Sequence, residues 1–358
     1  MGEVRVREAT AADYDGIFAC MRTIQADTAA QKAVGFTREL WDWQYVRTAR
    51  PTSITVAEEE GRIVGYFHLL LLDMHHAGRT VLGGLIQDVA THPDLRGRGV
   101  FRELGRVAIE SMRARGVRFA IGIPNHRSLH SFVHNHDYAM PGCMPVYLLP
   151  LDVGKVLGSR LGAVGRLAGT IASPLYRVLR ARSRPLATGE VVERLDVIPD
   201  QISEVSAAFA ARVTTAVARS ASYLRWRLLE KPTHEYAVYG LRRGGALVAY
   251  VATRIADLLG TRCLLLMDLG CRDGGDASLL RLLSARVEAA RADGLGMVVT
   301  MGVHPFFAAL GGLGFVRAPE RVNPRPFYFI VKPLADDLAP DITSLAGWLI
   351  TLVDWDVM

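Results

Sequence analysis

The chain has 358 residues, half of them apolar and 22% charged, with a formal net charge of +6. That composition can bury a sizeable core and excludes a wholly disordered chain, and the length favours two domains over one. Four cysteines without a CxxC pair argue against a zinc ribbon or disulfide scaffold. The opening residues lack an apolar signal core and no uncharged apolar run reaches ~18 residues, so a cytoplasmic setting is expected. The mild positive charge suits anionic ligands and does not call for nucleic acid.

Val4–Arg7 reads as a short strand, and Thr10 is placed to cap a helix through Ile24. A second helix around Leu40–Arg47 carries Trp41 and Trp43. Ser53–Glu58, the pair Glu60-Gly61 and Ile63–Leu72 read as strand, turn and strand, and Leu82–Ala90 as another strand. Gly99–Arg115 has helical spacing, with Leu104, Val107, Ala108, Ile109 and Met112 on one face and Gly116 as its stop. Phe119–Ile123 is a buried-type strand, Ser128–His136 a short helix, and Met144–Leu149 a closing strand.

The second half repeats this order. Trp43 falls on Trp226, Pro51 on Pro232, Asp88 on Asp268, Gly116 on Gly294 and Asp137-Tyr138 on Gly314-Phe315, with an offset that drifts only between 177 and 183 residues. A repeat this long means two like domains, expected at 1–150 and 191–358. Between them, 151–190 holds no acid from Val153 to Gly189 but carries Lys155, Arg160, Arg166, Arg177, Arg180, Arg182 and Arg184. Such a connector reads either as a packed linker with solvated charges or as a basic amphipathic helix making weak contact with an anionic membrane surface.

The stretch 86–116 carries the chemistry. A strand ends near Thr91, and His92-Pro93 leads through Arg96-Gly97-Arg98-Gly99 into a helix. Glycines allow close approach to backbone N–H groups, the helix N-terminus adds partial positive charge, and Arg96, Arg98 and Arg102 add full charges. These are the ingredients of a pyrophosphate cradle, without the G-x-G-x-x-G of a dinucleotide fold or the G-K-[ST] of a P-loop.

This segment resembles the acyl-CoA-binding motif of the GNAT superfamily of N-acetyltransferases, (Arg/Gln)-x-x-Gly-x-(Gly/Ala), with Phe101 where Gly or Ala is usual. "GIPNHRSLHSFVHNHDY" (122–138) resembles the family's closing motif, and the likeness spans most of 4–150. The resemblance implies two tandem GNAT-like domains of α/β class, each a mixed, mostly antiparallel sheet flanked by helices. It implies acetyl-CoA or another acyl-CoA as co-substrate, with Arg96, Gly97, Arg98, Gly99 and Phe101 at the loop, Val89 and Thr91 along the strand, and Asn125 towards pantetheine.

Direct transfer to an amine is the expected reaction, on a small molecule, amino sugar or metabolite. Asp88 is the carboxylate nearest the expected acyl group, although alternation places it on the face opposite Gln87 and Val89, where it would equally brace the turn. The family's acid is often a Tyr five residues before the closing aromatic. That position is Val133, so the adjacent His134 is the candidate acid. His130 and His134 have i,i+4 spacing but no clear carboxylate or Cys partner, so no metal is expected.

The second copy has "LGCRDGGDASLLRLL" at the equivalent loop, with Asp273 and Asp276 where phosphates would sit, and is expected not to bind coenzyme A. The final "GWLITLVDWDVM" resembles the end of tandem GNAT-like bacterial proteins associated with polysaccharide or secondary-metabolite assembly. Trp348, Asp354, Trp355 and Asp356 are expected either to tuck into an acceptor cleft or to pack on the core. Two other functions stay open: an aminoacyl-tRNA-dependent transferase to a cell-wall or peptide acceptor, and a non-catalytic acyl-CoA-binding or membrane-docking module. Oligomeric state is not legible.

Overall fold

The computed structural model describes residues 2–27, 37–48, 50–155, 183–258, 260–272, 274–320 and 326–355. Strand β1 (Val4–Glu8) pairs antiparallel with β2 (Ser53–Glu59), which turns into β3 (Arg62–His76). The turn residues Glu60 and Gly61 have φ of 51° and 78°, the left-handed backbone that a tight hairpin requires. β3 runs antiparallel to β4 (Arg79–Thr91), and the start of β4 pairs in parallel with β5 (Phe119–Gly122).

Helices cover both faces, so the strands are apolar on both. Helices α1 (Tyr14–Asp27) and α2 (Arg38–Tyr45) bury Ile17, Met21, Trp41 and Trp43 against Tyr66, Leu70 and Met74. On the opposite face, α3 (Val100–Ala114) lays Leu104, Ala108 and Met112 over Phe67, Leu69 and Leu71, beside α4 (His126–His136). The i, i+4, i+8 spacing of those three residues makes one continuous stripe. The half ends with β6 (Ala139–Cys143) and β7 (Val146–Pro150).

The second half follows the same plan. It contains β8 (Glu190–Arg194), α5 (Gln201–Ala210), β9 (Thr215–Val217), β10 (Ala237–Arg243), β11 (Ala246–Leu258), β12 (Thr261–Cys271), α6 (Asp276–Ala292) and β13 (Met297–Val303). Then come β14 (Val316–Arg317), β15 (Tyr328–Pro333), β16 (Trp348–Thr351) and the short helix α7 (Leu352–Trp355). The expected architecture therefore forms: a mixed sheet, mostly antiparallel, with helices on its faces. Among the described residues, the parallel pairs are β4 with β5, β12 with β13, and β9 with β16.

The halves exchange strands. β7 does not close its own half: it pairs with β13 and β14 in the second, while β15 of the second half lies between β5 and β6 of the first. The strand read at Met144–Leu149 thus forms at Val146–Pro150 but serves the other sheet. β9 bridges β3 and β16, and β16 reaches β13, so the described strands make one sixteen-stranded sheet.

Trp43 and Trp226 mark the approximate two-fold relation. Their rings stack at 5.0 Å, and each indole N–H donates to the other's backbone carbonyl, at 2.9 and 3.1 Å. Of the basic connector, 156–182 lies outside the described residues. Its ends dock on the second half, through Lys155 Nζ to the Gly294 carbonyl and the Arg184 N–H to Ser284 Oγ. Among the described residues, no helix is long and apolar enough to cross a membrane.

Candidate active site

The site begins where β4 and β5 part. Their parallel pairing covers only Gly83–Leu85 against Phe119–Ile121, so β4 from Gln87 onward is bonded on its β3 side alone. The His92 N–H donates to the Val64 carbonyl, directly opposite it, at 2.8 Å. Antiparallel alternation then gives Tyr66 and Ala90 the next bonded pair, and turns the N–H and C=O of Val89 and Thr91 away from β3. The two strand residues expected to meet the co-substrate therefore present free backbone to the open edge. Thr91 also has a buried hydroxyl without a partner among the described residues.

This edge runs into the loop. Gly97 and Gly99 have φ of 80° and 78°, values that other residues rarely adopt, and Gly99 caps α3. A Cβ added to Gly97 would meet nothing within 4 Å, and one on Gly99 only the Arg102 guanidinium at 3.8 Å. The loop is thus an open cradle at a helix N-terminus. Arg98 bonds Glu59 at 3.2 Å, tying the cradle to β2. Phe101 turns inward against Phe132 and His136, so its bulk fills the α3–α4 seam and leaves the loop open. Asn125 caps α4, its Oδ1 accepting from the N–H groups of Arg127 and Ser128 at 2.9 and 3.0 Å. The unpaired edge, the orphan Thr91 hydroxyl and the open glycine cradle fit a pantetheine arm ending in a pyrophosphate.

Asp88 sits at an irregularity in β4. Phe67 opposes Val89 and Leu69 opposes Ile86, so His68 alone faces both Gln87 and Asp88. Such a bulge breaks alternation. Contrary to the alternation reading, both side chains turn to α2: the Tyr45 hydroxyl donates to Asp88, and Gln44 Nε2 reaches Gln87 Oε1 at 3.4 Å. Burial pushes the Asp88 carboxyl above its ordinary pKa, and the Tyr45 hydrogen bond partly offsets this. His68 is fully buried, stacked on Tyr45 at 4.1 Å, with its pKa pushed down to about 3 by burial. Its Nδ1 lies 3.1 Å from the Asp88 carbonyl and its Nε2 3.3 Å from the Trp41 indole nitrogen.

Sequence reasoning missed Tyr45 and His68. A lone histidine inside the apolar run Ile63–Leu72 was the available signal. His134, by contrast, is exposed on α4 and rests against His130 at 4.4 Å; no described contact joins it to Asp88. Among the described residues, no group of three or more His, Cys, Asp or Glu comes together as a metal site would require.

The second half keeps the bulge and disarms it. Ala252 opposes Asp268 and Thr253 opposes Leu266, leaving Met267 unpaired at the matching place. Asp268 is fully buried and saturated: Arg219 Nε donates at 2.9 Å, the Tyr250 hydroxyl at 2.8 Å and the Thr351 hydroxyl at 2.8 Å. Arg219 also pairs with Asp354 of α7. The terminal segment β16–α7 thus bridges β12 and the end of β13, where the first half is open.

Trp348 accordingly is buried in the core against Phe119 and Phe329, and the half-buried Trp355 packs on Phe327. Asp356 lies outside the described residues. At the loop, Asp276 is paired with Arg212, and Asp273 lies outside the described residues.

Residues 5–140 match the family of acetyltransferase (GNAT) domains. No curated protein matches the sequence significantly. Among solved structures, a probable N-acyltransferase of Enterococcus faecalis is similar with a TM-score of 0.67 at 11% identity, covering 93% of this chain and 73% of that one. A tandem GNAT protein from the clavulanic acid biosynthesis pathway is similar with a TM-score of 0.56 at 17% identity, covering 94% and 100%. Saccharomyces cerevisiae N-myristoyltransferase, solved with myristoyl-CoA, is similar with a TM-score of 0.59 at 12% identity, covering 98% and 86%. At these identities the likeness concerns the fold. Residues 5–140 are thus a GNAT-type acetyltransferase domain by family match, and the chain over its length shares its fold with a tandem GNAT protein.

Proposed function

We propose that the chain is an acyl-CoA-dependent N-acyltransferase, with acetyl the favoured acyl group, which acylates an amine of a small molecule, amino sugar or metabolite in a ternary complex. The observation that carries this reading is the unpaired Val89 and Thr91 edge of β4 running straight into the open Gly97–Gly99 cradle. Acyl-CoA brings the thioester. The loop N–H groups with Arg96, Arg98 and Arg102 hold the pyrophosphate, and the Val89 and Thr91 backbone aligns the pantetheine arm.

Asp88 is the proposed base. Its raised pKa suits proton removal from an ammonium or amine near neutral pH better than that of an ordinary carboxylate. The amine nitrogen bonds to the acyl carbon as its proton passes to Asp88, the C–S bond breaks, and the thiolate takes up a proton. His134, on the solvent side of α4, is proposed to return that proton through water. The Val89 N–H is proposed to stabilise the carbonyl oxygen as it gains charge.

Two features support direct transfer of a short acyl group. Burial pushes the Cys20 and Cys263 thiols up to about 11 and raises that of Cys143, which makes them poor nucleophiles. Where the splay closes, Ile86, Ile121 and Ile330 are buried, and a Cβ on Gly122 would sit 3.3 Å from Ile86.

The test is free-thiol release from acetyl-CoA over a panel of amines. Acceptor-dependent release is expected, falling at least ~100-fold in Asp88→Asn with KM for acetyl-CoA unchanged. Absence of acceptor-dependent release with every acyl-CoA tried would overturn the reading.

A further inference from the structure

We propose that His68 is a positioning residue for acyl transfer, holding the Asp88–Val89 peptide so that the Val89 N–H points into the splay at the thioester carbonyl. The inference rests on the acyl-CoA reading above and adds to it the device that aims the oxyanion donor.

The tautomer of His68 follows from its partners. An indole N–H only donates, so His68 Nε2, facing Trp41 Nε1 at 3.3 Å, accepts. The neutral ring then carries its proton on Nδ1, which donates to the Asp88 carbonyl at 3.1 Å. At the bulge, where His68 alone faces both Gln87 and Asp88, the imidazole N–H thus supplies a side-chain donor to this carbonyl.

The Asp88 carbonyl and the Val89 N–H belong to one planar trans peptide, so they point in opposite directions. Fixing the carbonyl towards His68 directs the N–H away from it, to the edge that β5 leaves open after Gly122. Tyr45 stacks on the ring and Trp41 meets it edge-on, so aromatic contacts on two sides support this orientation.

The duplication supplies an internal control. The second half retains the bulge, the aspartate and a tyrosine, but Ala252 stands where His68 does, and β16–α7 covers the mouth. A histidine needed only to stabilise the bulge would be needed in both copies. It is present where the edge is open and absent where the edge is closed.

The experiment is isotope-edited infrared difference spectroscopy of acetyl-CoA carrying ¹³C at the thioester carbonyl, bound to wild type, His68→Leu and His68→Asn. Melting curves confirm folding, and acetyl-CoA affinity is measured in parallel. Asn places an amide N–H near the Nδ1 position. In wild type the carbonyl stretch is expected to shift to lower frequency on binding. In His68→Leu that shift is expected to be lost, with affinity within about threefold and turnover about 100-fold lower, the scale for one oxyanion donor. His68→Asn is expected to restore most of both.

An unchanged shift in His68→Leu would overturn the proposal, as would loss of affinity without loss of the shift. Failure of wild type to bind acetyl-CoA at all would instead remove the acyl-CoA reading on which it stands.

Discussion

Asp88 and His68 are neighbours whose burial acts with opposite sign. The pKa of His68 is about 3 when folded against 6.5 in the free residue. A depressed histidine contributes stability that is full above pH ~6.5 and drains away as pH falls towards 3. The melting temperature is therefore expected to drop between pH 6.5 and 4, and to drop less steeply in His68→Asn; equal slopes would show that His68 is not held neutral. Asp88, with its pKa raised, favours the folded state when protonated, and in its proposed role as base it acts only when ionised. The acid limb of kcat/KM is expected above the ordinary carboxylate range near pH ~4, and to vanish in Asp88→Asn. Asp88 was legible as a candidate because few carboxylates stand beside a glycine-arginine loop. Its partners were not: Tyr45 is 43 residues away, and the bulge that turns Gln87 and Asp88 to the same side breaks the periodicity from which a strand face is read.

Two glycines near the loop have different reasons for being glycine. Gly97 needs its positive φ but faces open space, whereas Gly105 has an ordinary helical backbone and no room: a Cβ there would lie 2.2 Å from His136 Nε2. Gly105→Ala is expected to destabilise by about 1–3 kcal/mol by forcing α3 from α4. Gly97→Ala is expected to cost about 1–2 kcal/mol in backbone strain and, in addition, to weaken acetyl-CoA binding. Thermal melts with binding titrations separate the two; a Gly97→Ala protein that binds normally would show that the cradle is not used. The helices and the β2–β3 hairpin were readable from spacing and from Glu60-Gly61. The pairing of β6 and β7 was not, because local pattern specifies that a strand exists and not which sheet receives it.

The duplication was visible as a drifting offset of matched Trp, Asp and Gly, but the exchange of β7 and β15 is a property of the whole chain. Because β15 fills the gap between β5 and β6, residues 1–155 alone are expected to lack a native sheet. A sharp thermal transition in that fragment would contradict this. The Trp43–Trp226 pair couples the halves, and a double-mutant cycle with Phe at each position is expected to show about 1 kcal/mol of interaction. The functional claim for the molecule is asymmetry: one splay open with a glycine cradle, the other crossed by β16–α7. Calorimetric titration with acetyl-CoA tests it most directly. One site per chain is expected, lost in the Arg96→Ala/Gly99→Glu variant; two sites, or equal affinity in the variant, would contradict the account.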